Sequence, residues 1–361
     1  MNQDLQLSSY DYALPEELIA QDPIEPRDSA RLLVLDRASA ALSHQHVRDL
    51  PTLLAPGDLI IANRSRVLRS RLVGKKENTG GRVELTLIRP AGDQDERSGL
   101  GSQPPKGEPR KGRQTWEALL HGHRLRTGQR VEITPEVTAT IGEATPAGRL
   151  VQFLGEEDIP ALMDRLGQVP LPPYIRDYHR GAERYQTVYG DVVGSAAAPT
   201  AGLHFTYLLM DALQRVGVHW AHVILHIGLD TFRPIQEEDV RNHPIHTEWV
   251  EVSPEVVQAV RQTKGAGHRV VAVGTSSVRA LEFAARSGEL EPYCGPVDLY
   301  IVPGYHFRIV DVMLTNFHMP RTTVLLLVAA FAGRERILTA YQEAIAERYR
   351  FLSFGDAMLI F

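Results

Sequence analysis

The sequence predicts an α/β (α+β) core domain carrying an inserted antiparallel β-barrel domain. Two textures lead to that reading. Outside residues 67–153, short apolar runs such as Leu59-Ile60-Ile61-Ala62 and Val270-Val271-Ala272-Val273 alternate with stretches of helical periodicity, the pattern of a buried sheet covered by helices. Inside 67–153, short period-2 runs are separated by Gly, Pro and Asn, the pattern of five or six antiparallel strands. A third observation joins the two. The β-rich stretch starts and ends in continuous chain of the first texture, so it is an insertion held by two hinges, expected near Arg66 and near Gly155. The expected division is 1–66 plus 154–361 for the core and 67–153 for the barrel. Length agrees, because 361 residues at roughly 150 per domain gives two.

Taken in order, Pro15 opens a short helical stretch, 31–35 is a buried strand ending at Asp36, and Pro56-Gly57-Asp58 is a turn into the strand at 59–62. Strands of the barrel are expected near 67–72, 82–88, 115–120, 130–133, 138–141 and 149–154. Residues 91–112, rich in Gly, Pro, Ser and charge, read as an exposed, mobile hairpin insertion. Beyond Pro160, Thr206 caps a helix whose Leu208, Leu209, Ala212, Leu213 and Val216 share a face. Strands follow at 218–227, 246–252, 270–273, 299–302 and 307–312, the last two around a Pro303-Gly304 turn. Helices are expected at 254–262, 276–286, 322–332 and 335–349.

Composition narrows the function classes. Hydrophobic residues make up 43% and charged residues 23%, an ordinary globular balance. Cys294 is the only cysteine, which excludes an internal disulfide and a cysteine zinc site. Residues 1–10 are polar, and the longest strongly apolar run, 324–332, is about half of what a membrane helix needs. A soluble cytoplasmic protein without a membrane partner is expected. Its charge is uneven: residues 64–130 hold 16 Lys and Arg against 7 Asp and Glu, a net of +9 on a chain whose total is −5. Either a phosphate-facing surface or a solvated charged face accounts for this, and Arg69, Arg71, Lys75 and Lys76 are the residues expected to contact nucleic acid.

Four segments carry chemistry. Ser195-Ala-Ala-Ala-Pro-Thr-Ala-Gly-Leu-His-Phe-Thr206 lets backbone approach a ligand closely and places His204 just before a helix start. Val273-Gly-Thr-Ser-Ser-Val-Arg279 is a strand-to-helix turn that gathers N–H groups, either for an anion or as a plain turn. It is neither a Walker A loop nor a dinucleotide fingerprint. His226, His243, His246 and Glu248 cluster in sequence, but their spacing matches no helical zinc motif. Thr315-Asn-Phe-His318 ends a strand, where open α/β sheets bind ligands.

Several of these stretches resemble one family. Ala198-Pro-Thr-Ala-Gly-Leu-His-Phe-Thr206, Leu171-Pro-Pro-Tyr-Ile175, Tyr185-Gln-Thr-Val-Tyr189, Val273-Gly-Thr-Ser-Ser-Val-Arg279, Thr315-Asn-Phe-His318 and Phe354-Gly-Asp-Ala-Met358 are similar to the S-adenosylmethionine:tRNA ribosyltransferase-isomerases of queuosine biosynthesis, from about Asp11 to Ile360. Arg64 stands where the family's Asp is expected and Asp230 where a Gly is usual. The resemblance implies transfer and isomerisation of the ribosyl part of S-adenosylmethionine onto a 7-aminomethyl-7-deazaguanine at the tRNA wobble position. The products implied are epoxyqueuosine-tRNA, adenine and methionine. It implies tRNA and S-adenosylmethionine as partners, the latter a consumed co-substrate, with no cofactor, no metal and no stable protein partner, the chain acting as a monomer.

The chemistry needs a base for the protons next to the sulfonium and an acid for departing adenine. His204, His226, His246 and His318, with Glu248 as an orienter, are the expected catalytic set. Asn63, Arg66, Tyr174, Thr200, Gly202, Phe205, Arg233, Thr275, Ser276, Arg279, Asn316 and Phe317 are the expected substrate contacts. Tyr174, Phe205 or Phe317 would stack on the target base, and Arg279 or a helix start would take the methionine carboxylate. Two other readings compete: a non-catalytic RNA-binding protein, and a metal-dependent hydrolase using His226, His243 and His246.

Overall fold

A computed structural model describes residues 3–91, 114–145, 148–176, 178, 180–228 and 234–361. In chain order the elements are β1 (Arg31–Leu35), β2 (Leu42–His46), α1 (Leu50–Leu53), β3 (Leu59–Asn63), β4 (Ser65–Val67), β5 (Arg71–Lys76), β6 (Arg82–Pro90), β7 (Gln114–His121), β8 (Arg130–Thr134), β9 (Val137–Ala144) and β10 (Arg149–Leu154). There follow α2 (Ile159–Leu166), β11 (Val192–Ser195), α3 (Tyr207–Arg215), β12 (His219–His226), β13 (Glu248–Val252), α4 (Pro254–Gly265), β14 (Val270–Val273) and α5 (Gly274–Ala284). The chain closes with β15 (Tyr293–Val297), β16 (Val312–Asn316), α6 (Thr323–Ala332), α7 (Arg334–Ala346) and β17 (Ala357–Ile360). The stretch at Pro15 is one 3-10 turn, Glu16–Leu18. Most of the insertion expected at 91–112 lies outside the described residues, as do Asp230 and Arg233.

The chain divides into two compact units, one of residues 1–66, 172–192 and 198–361, the other of 67–171 and 193–197. The first is built on a nine-stranded mixed sheet in the order β15-β13-β12-β3-β14-β16-β17-β1-β2. Its centre is parallel: β3 pairs in parallel with β12 and β14, and β14 with β16. Strands β3, β14, β16 and β17 are buried along their whole length, which is why they read as unbroken apolar runs rather than alternating ones. One core gathers Ile60, Ala62, Val271, Val273, Leu314 and Leu359 of the sheet against Phe205, Leu209 and Leu213.

The second unit is a closed barrel in the order β10-β7-β6-β5-β8-β9. Alternation is its sequence signature, because inward residues fill the lumen and outward ones meet water. Leu72, Val83, Leu85, Leu87, Val131, Ala139, Ile141, Val151 and Phe153 fill it. Ile159, Leu162 and Met163 of α2 join the same core. Their burial carries the barrel unit on to Leu171, past the end at 153 expected from strand pattern alone.

Two local expectations are corrected. No strand forms at 299–302, and the one expected at 307–312 begins only at Val312 as β16, because the buried Glu282 carboxylate accepts the N–H groups of Arg308, Ile309 and Val310 at 2.9, 3.0 and 3.0 Å. Donors that a ladder would use are thereby taken by a side chain. Helix α3 buries Leu209 and Leu213 but leaves Leu208 81% exposed, so its apolar face is narrower than the sequence suggested. Among the described residues no helix is long and apolar enough to cross a membrane.

Candidate active site

Strand ends and the turns beyond them place the chemistry. The parallel strands β3, β12 and β14 run side by side, and each leaves the sheet at a polar residue or a helix start. Asn63, fully buried at the end of β3, locks this edge together. Its amide nitrogen donates to Leu225 O (2.8 Å) and Ser276 Oγ (3.2 Å), and its oxygen accepts from the N–H groups of Ser65 (3.0 Å) and Leu225 (3.1 Å). Gly274 turns β14 into α5 with φ of +81°, a conformation that glycine adopts without strain. No side chain caps the first turn of α5, where Thr275 and Ser276 lie. A Cβ on Gly274 would lie 3.5 Å from Ala201 Cβ and 3.8 Å from Ser276 Oγ, so the Thr200–His204 turn sits directly against this helix start.

Glu248, at the start of β13, is the electrostatic centre. Its carboxylate accepts from Gly228 N–H (2.9 Å), His246 Nε2 (3.0 Å) and Arg279 Nη1. Burial alone would raise its pKa, but Arg279, His246 and the Gly228 N–H together hold it down to about 2. Arg279 also donates to Leu299 O (3.1 Å), while its Nη2 is buried without a partner among the described residues. His226 ends β12 and is 4% exposed, and its Nδ1 has no partner there either. Burial lowers its pKa to about 4, with Glu248 opposing the shift, so at neutral pH it is an uncharged imidazole with a free ring nitrogen.

A second group adjoins this one. His204 Nε2 lies 3.2 Å from the Asn316 amide nitrogen, and Asn316 Oδ1 accepts from Thr200 Oγ1 at 2.9 Å. Burial first, then the charges of Arg184, Arg350 and Arg27, lower the His204 pKa to about 3. The imidazole is therefore neutral and its Nε2 accepts the Asn316 N–H. Gly202 is required in this turn by space: a Cβ there would collide with Tyr189 OH and Thr187 Cγ2. His318 stands apart, with Thr315 Oγ1 3.3 Å from Nε2 and Tyr341 OH 3.2 Å from Nδ1, and burial lowers its pKa to about 4.

The remaining expected residues separate into those that hold the fold and those that face outward. Phe205 and Phe317 are 0% exposed and cannot stack on a base. Phe205 packs edge-on against Trp220, and Phe317 among Tyr341, Tyr349 and Phe351. Tyr174 is half-buried with its hydroxyl 2.7 Å from Ser353 Oγ, so it keeps an accessible edge. Arg66 pairs with Glu183 at 2.5 Å. In the barrel, Arg69 and Lys75 are exposed and Arg71 is tied to Gln168 (2.7 Å) and Glu84 (3.5 Å). Lys76 is corrected outright: it is buried, and its ammonium donates to the carbonyls of His123 and Arg124. The imidazoles of the hydrolase reading do not converge. His243 pairs with Glu237 (2.9 Å) and His246 with Glu248, and among the described residues no three His, Cys, Asp or Glu side chains form a ligand set.

The model of the queuosine biosynthesis protein family matches residues 7–360. The chain belongs to that family. A relative from Symbiobacterium thermophilum named S-adenosylmethionine:tRNA ribosyltransferase-isomerase is 46% identical over 360 residues, 99% of this chain and 100% of its own. One of the same name from Heliobacterium modesticaldum is 46% identical over 363 residues, with 99% and 100% covered. The crystal structure of S-adenosylmethionine tRNA ribosyltransferase from Thermotoga maritima aligns with a TM-score of 0.55 at 35% identity, covering 98% of this chain and 100% of that one. The family expected from the motifs is thus the one found, and its fold is the one described above. Arg64, the departure from the expected motif, has an acidic partner here, Asp191 at 3.4 Å.

Trp220 and His222, which lie in none of the quoted motifs, were not among the expected site residues. Tyr189 lies against Trp220 and His222 of β12, with ring centroids 6.2 and 5.4 Å away. The signal was legible as Trp220-x-His222-x-Ile224-x-His226, since period 2 on a strand puts all four on the face that ends at His226.

Proposed function

We propose that this chain transfers the ribosyl moiety of S-adenosylmethionine to the 7-aminomethyl-7-deazaguanine at the tRNA wobble position and isomerises it. Epoxyqueuosine-tRNA, adenine and methionine are the products, and S-adenosylmethionine is a consumed co-substrate. The observation that carries the mechanism is the His226–Glu248–Arg279 cluster. Protons on the carbon next to a sulfonium are acidified, and their removal needs a neutral base within reach. His226 is uncharged, and its Nδ1 has no partner among the described residues. Glu248 stays ionised and holds Arg279 and His246 in place, and Arg279 Nη2, unpaired among the described residues, is offered to an anionic group such as the methionine carboxylate. Incubating the protein with S-adenosylmethionine and tRNA carrying the modified guanine is expected to release adenine, with both substrates required. No release under those conditions sinks the proposal.

The barrel is the proposed contributor to tRNA binding, in the cytoplasm where tRNA resides. Its surface cations are not equivalent. Arg69→Ser with Lys75→Ser removes two exposed charges and is expected to weaken tRNA affinity and reduce the slope of log affinity against log salt by roughly 1.4 to 1.8. Lys76→Ser leaves two carbonyls without their donor and is expected to lower the melting temperature while leaving that slope alone. Salt titrations of tRNA binding on the two variants check both statements. An unchanged slope in the first variant counts against the barrel.

A further inference from the structure

Of the ten buried polar side-chain atoms in the core unit that have no hydrogen-bond partner among the described residues, five belong to Ser65 (Oγ), Thr187 (Oγ1), Tyr189 (OH), Trp220 (Nε1) and His222 (Nε2). They are neighbours. Tyr189 is flanked by Trp220 and His222 at the ring distances given above, and those two rings lie 6.3 Å apart and 26° from parallel. Tyr189 OH and Thr187 Cγ2 crowd the same point beside Gly202, and Thr187 Oγ1 and Ser65 O lie 2.7 and 3.3 Å from where a Cβ on Gly190 would sit. Native proteins leave few buried polar groups unpaired, because each such group carries a desolvation cost. Five on adjoining residues call for a partner that the described residues do not supply.

The chemistry of the five describes that ligand. Trp220 Nε1 only donates, whereas the hydroxyls and a neutral imidazole donate or accept, so the ligand's edge carries at least one acceptor and can carry donors. Burial, then the nearby Arg64 charge, lowers the His222 pKa, so the ring is neutral, and Arg64 is itself engaged by Asp191. Among the described residues the nearby cations are engaged, Arg64 as stated and Arg27, whose charge acts on Tyr189, by the carbonyls of Gln186 and Leu203. Flat aromatic walls with donors and acceptors at their rim suit a heteroaromatic base.

We propose that Tyr189, Trp220 and His222, with Ser65 and Thr187, form a purine-base subsite of this enzyme. The choice of base rests on the proposed reaction, which supplies two of the same chemistry: the adenine of S-adenosylmethionine and the modified guanine of tRNA. Calorimetry separates them, with S-adenosylhomocysteine as one probe and an anticodon stem-loop RNA bearing the modified guanine as the other. Tyr189→Phe removes one oxygen that has no partner without ligand. It is expected to keep or raise the melting temperature and to weaken binding of one probe by about tenfold, the scale of one hydrogen bond. Trp220→Phe, which keeps an aromatic ring beside Phe205, is expected to weaken the same probe. Loss confined to S-adenosylhomocysteine assigns the adenine, and loss confined to the RNA assigns the guanine. Wild-type affinity for both probes in both variants, or no binding of either probe by the wild type, overturns the subsite and leaves internal water as the partner of the five atoms. Binding is read without turnover. A protein that binds S-adenosylhomocysteine here yet releases no adenine from S-adenosylmethionine would therefore count against the reaction and not against the subsite.

Discussion

Glu248→Gln is expected to lower adenine release at saturating substrates by at least about a hundredfold, the scale of one misplaced catalytic group. The reason is a mismatch of donors. Glu248 accepts from three: Gly228 N–H, His246 Nε2 and Arg279 Nη1. Glutamine offers one acceptor oxygen and an NH2, so at least one of the three donors would face another donor. The Arg279 guanidinium, 12% exposed, loses its counter-charge at the same time. Breaking a buried pair from one side costs about 3–5 kcal/mol, so the variant is also expected to melt early. The pH dependence has a definite sign. The folded carboxyl titrates at about 2, below its ordinary value of 4.5, so its stabilising contribution is complete above 4.5 and disappears as pH falls toward about 2. Urea unfolding of wild type and variant should therefore differ most at neutral pH and converge in acid. A gap that persists unchanged at pH 3 would mean that the charge of Glu248 is not what holds the cluster.

How much of this was visible in the chain depends on the range of the interaction. The buried centre of the sheet was legible because both faces are covered: Val270-Val271-Ala272-Val273 is an unbroken apolar run and is β14 from end to end. The barrel was legible because one face of each strand is wet. The strand expected at 307–312 failed for a reason that local pattern cannot contain, since the backbone donors of 308–310 belong to Glu282, more than twenty residues earlier. The site divides in the same way. Motifs pointed to Asn63, His204, Glu248, Arg279 and Asn316, and all five are buried or nearly so and engaged. Their partnerships were not legible, because Glu248 and Arg279 are 31 positions apart and His204 and Asn316 are 112 apart. Residue type alone also misplaced Phe205, Phe317 and Lys76. Aromatics and cations in a motif look alike whether they meet a ligand or complete the core, and only burial distinguishes them.

The imidazole with a free nitrogen makes the sharper test of mechanism. His226→Leu keeps apolar volume and removes a buried ring nitrogen that has no partner among the described residues. It is expected to preserve or raise the melting temperature, because the desolvation cost of an unpaired polar atom goes with it. Adenine release is expected to fall by at least about a hundredfold, the typical contribution of a positioned general base. A purely structural histidine would give the opposite pair of results. The pH profile adds a second reading. Burial holds His226 at about 4, below its ordinary 6.5, so the base is fully deprotonated from about pH 5 upward and wild-type kcat/KM should not decline until pH drops toward 4. The same shift costs stability in acid: no penalty is paid above pH 6.5, it grows as pH falls from 6.5 and is complete below about 4, and His226→Leu should remove that part of the acid sensitivity. His226→Ala in buffer containing imidazole closes the argument, since a small base entering the vacated space should restore part of the turnover. Stable variants that release adenine at the wild-type rate would move the proton transfer away from β12 and leave His204, His246 and His318 to account for it.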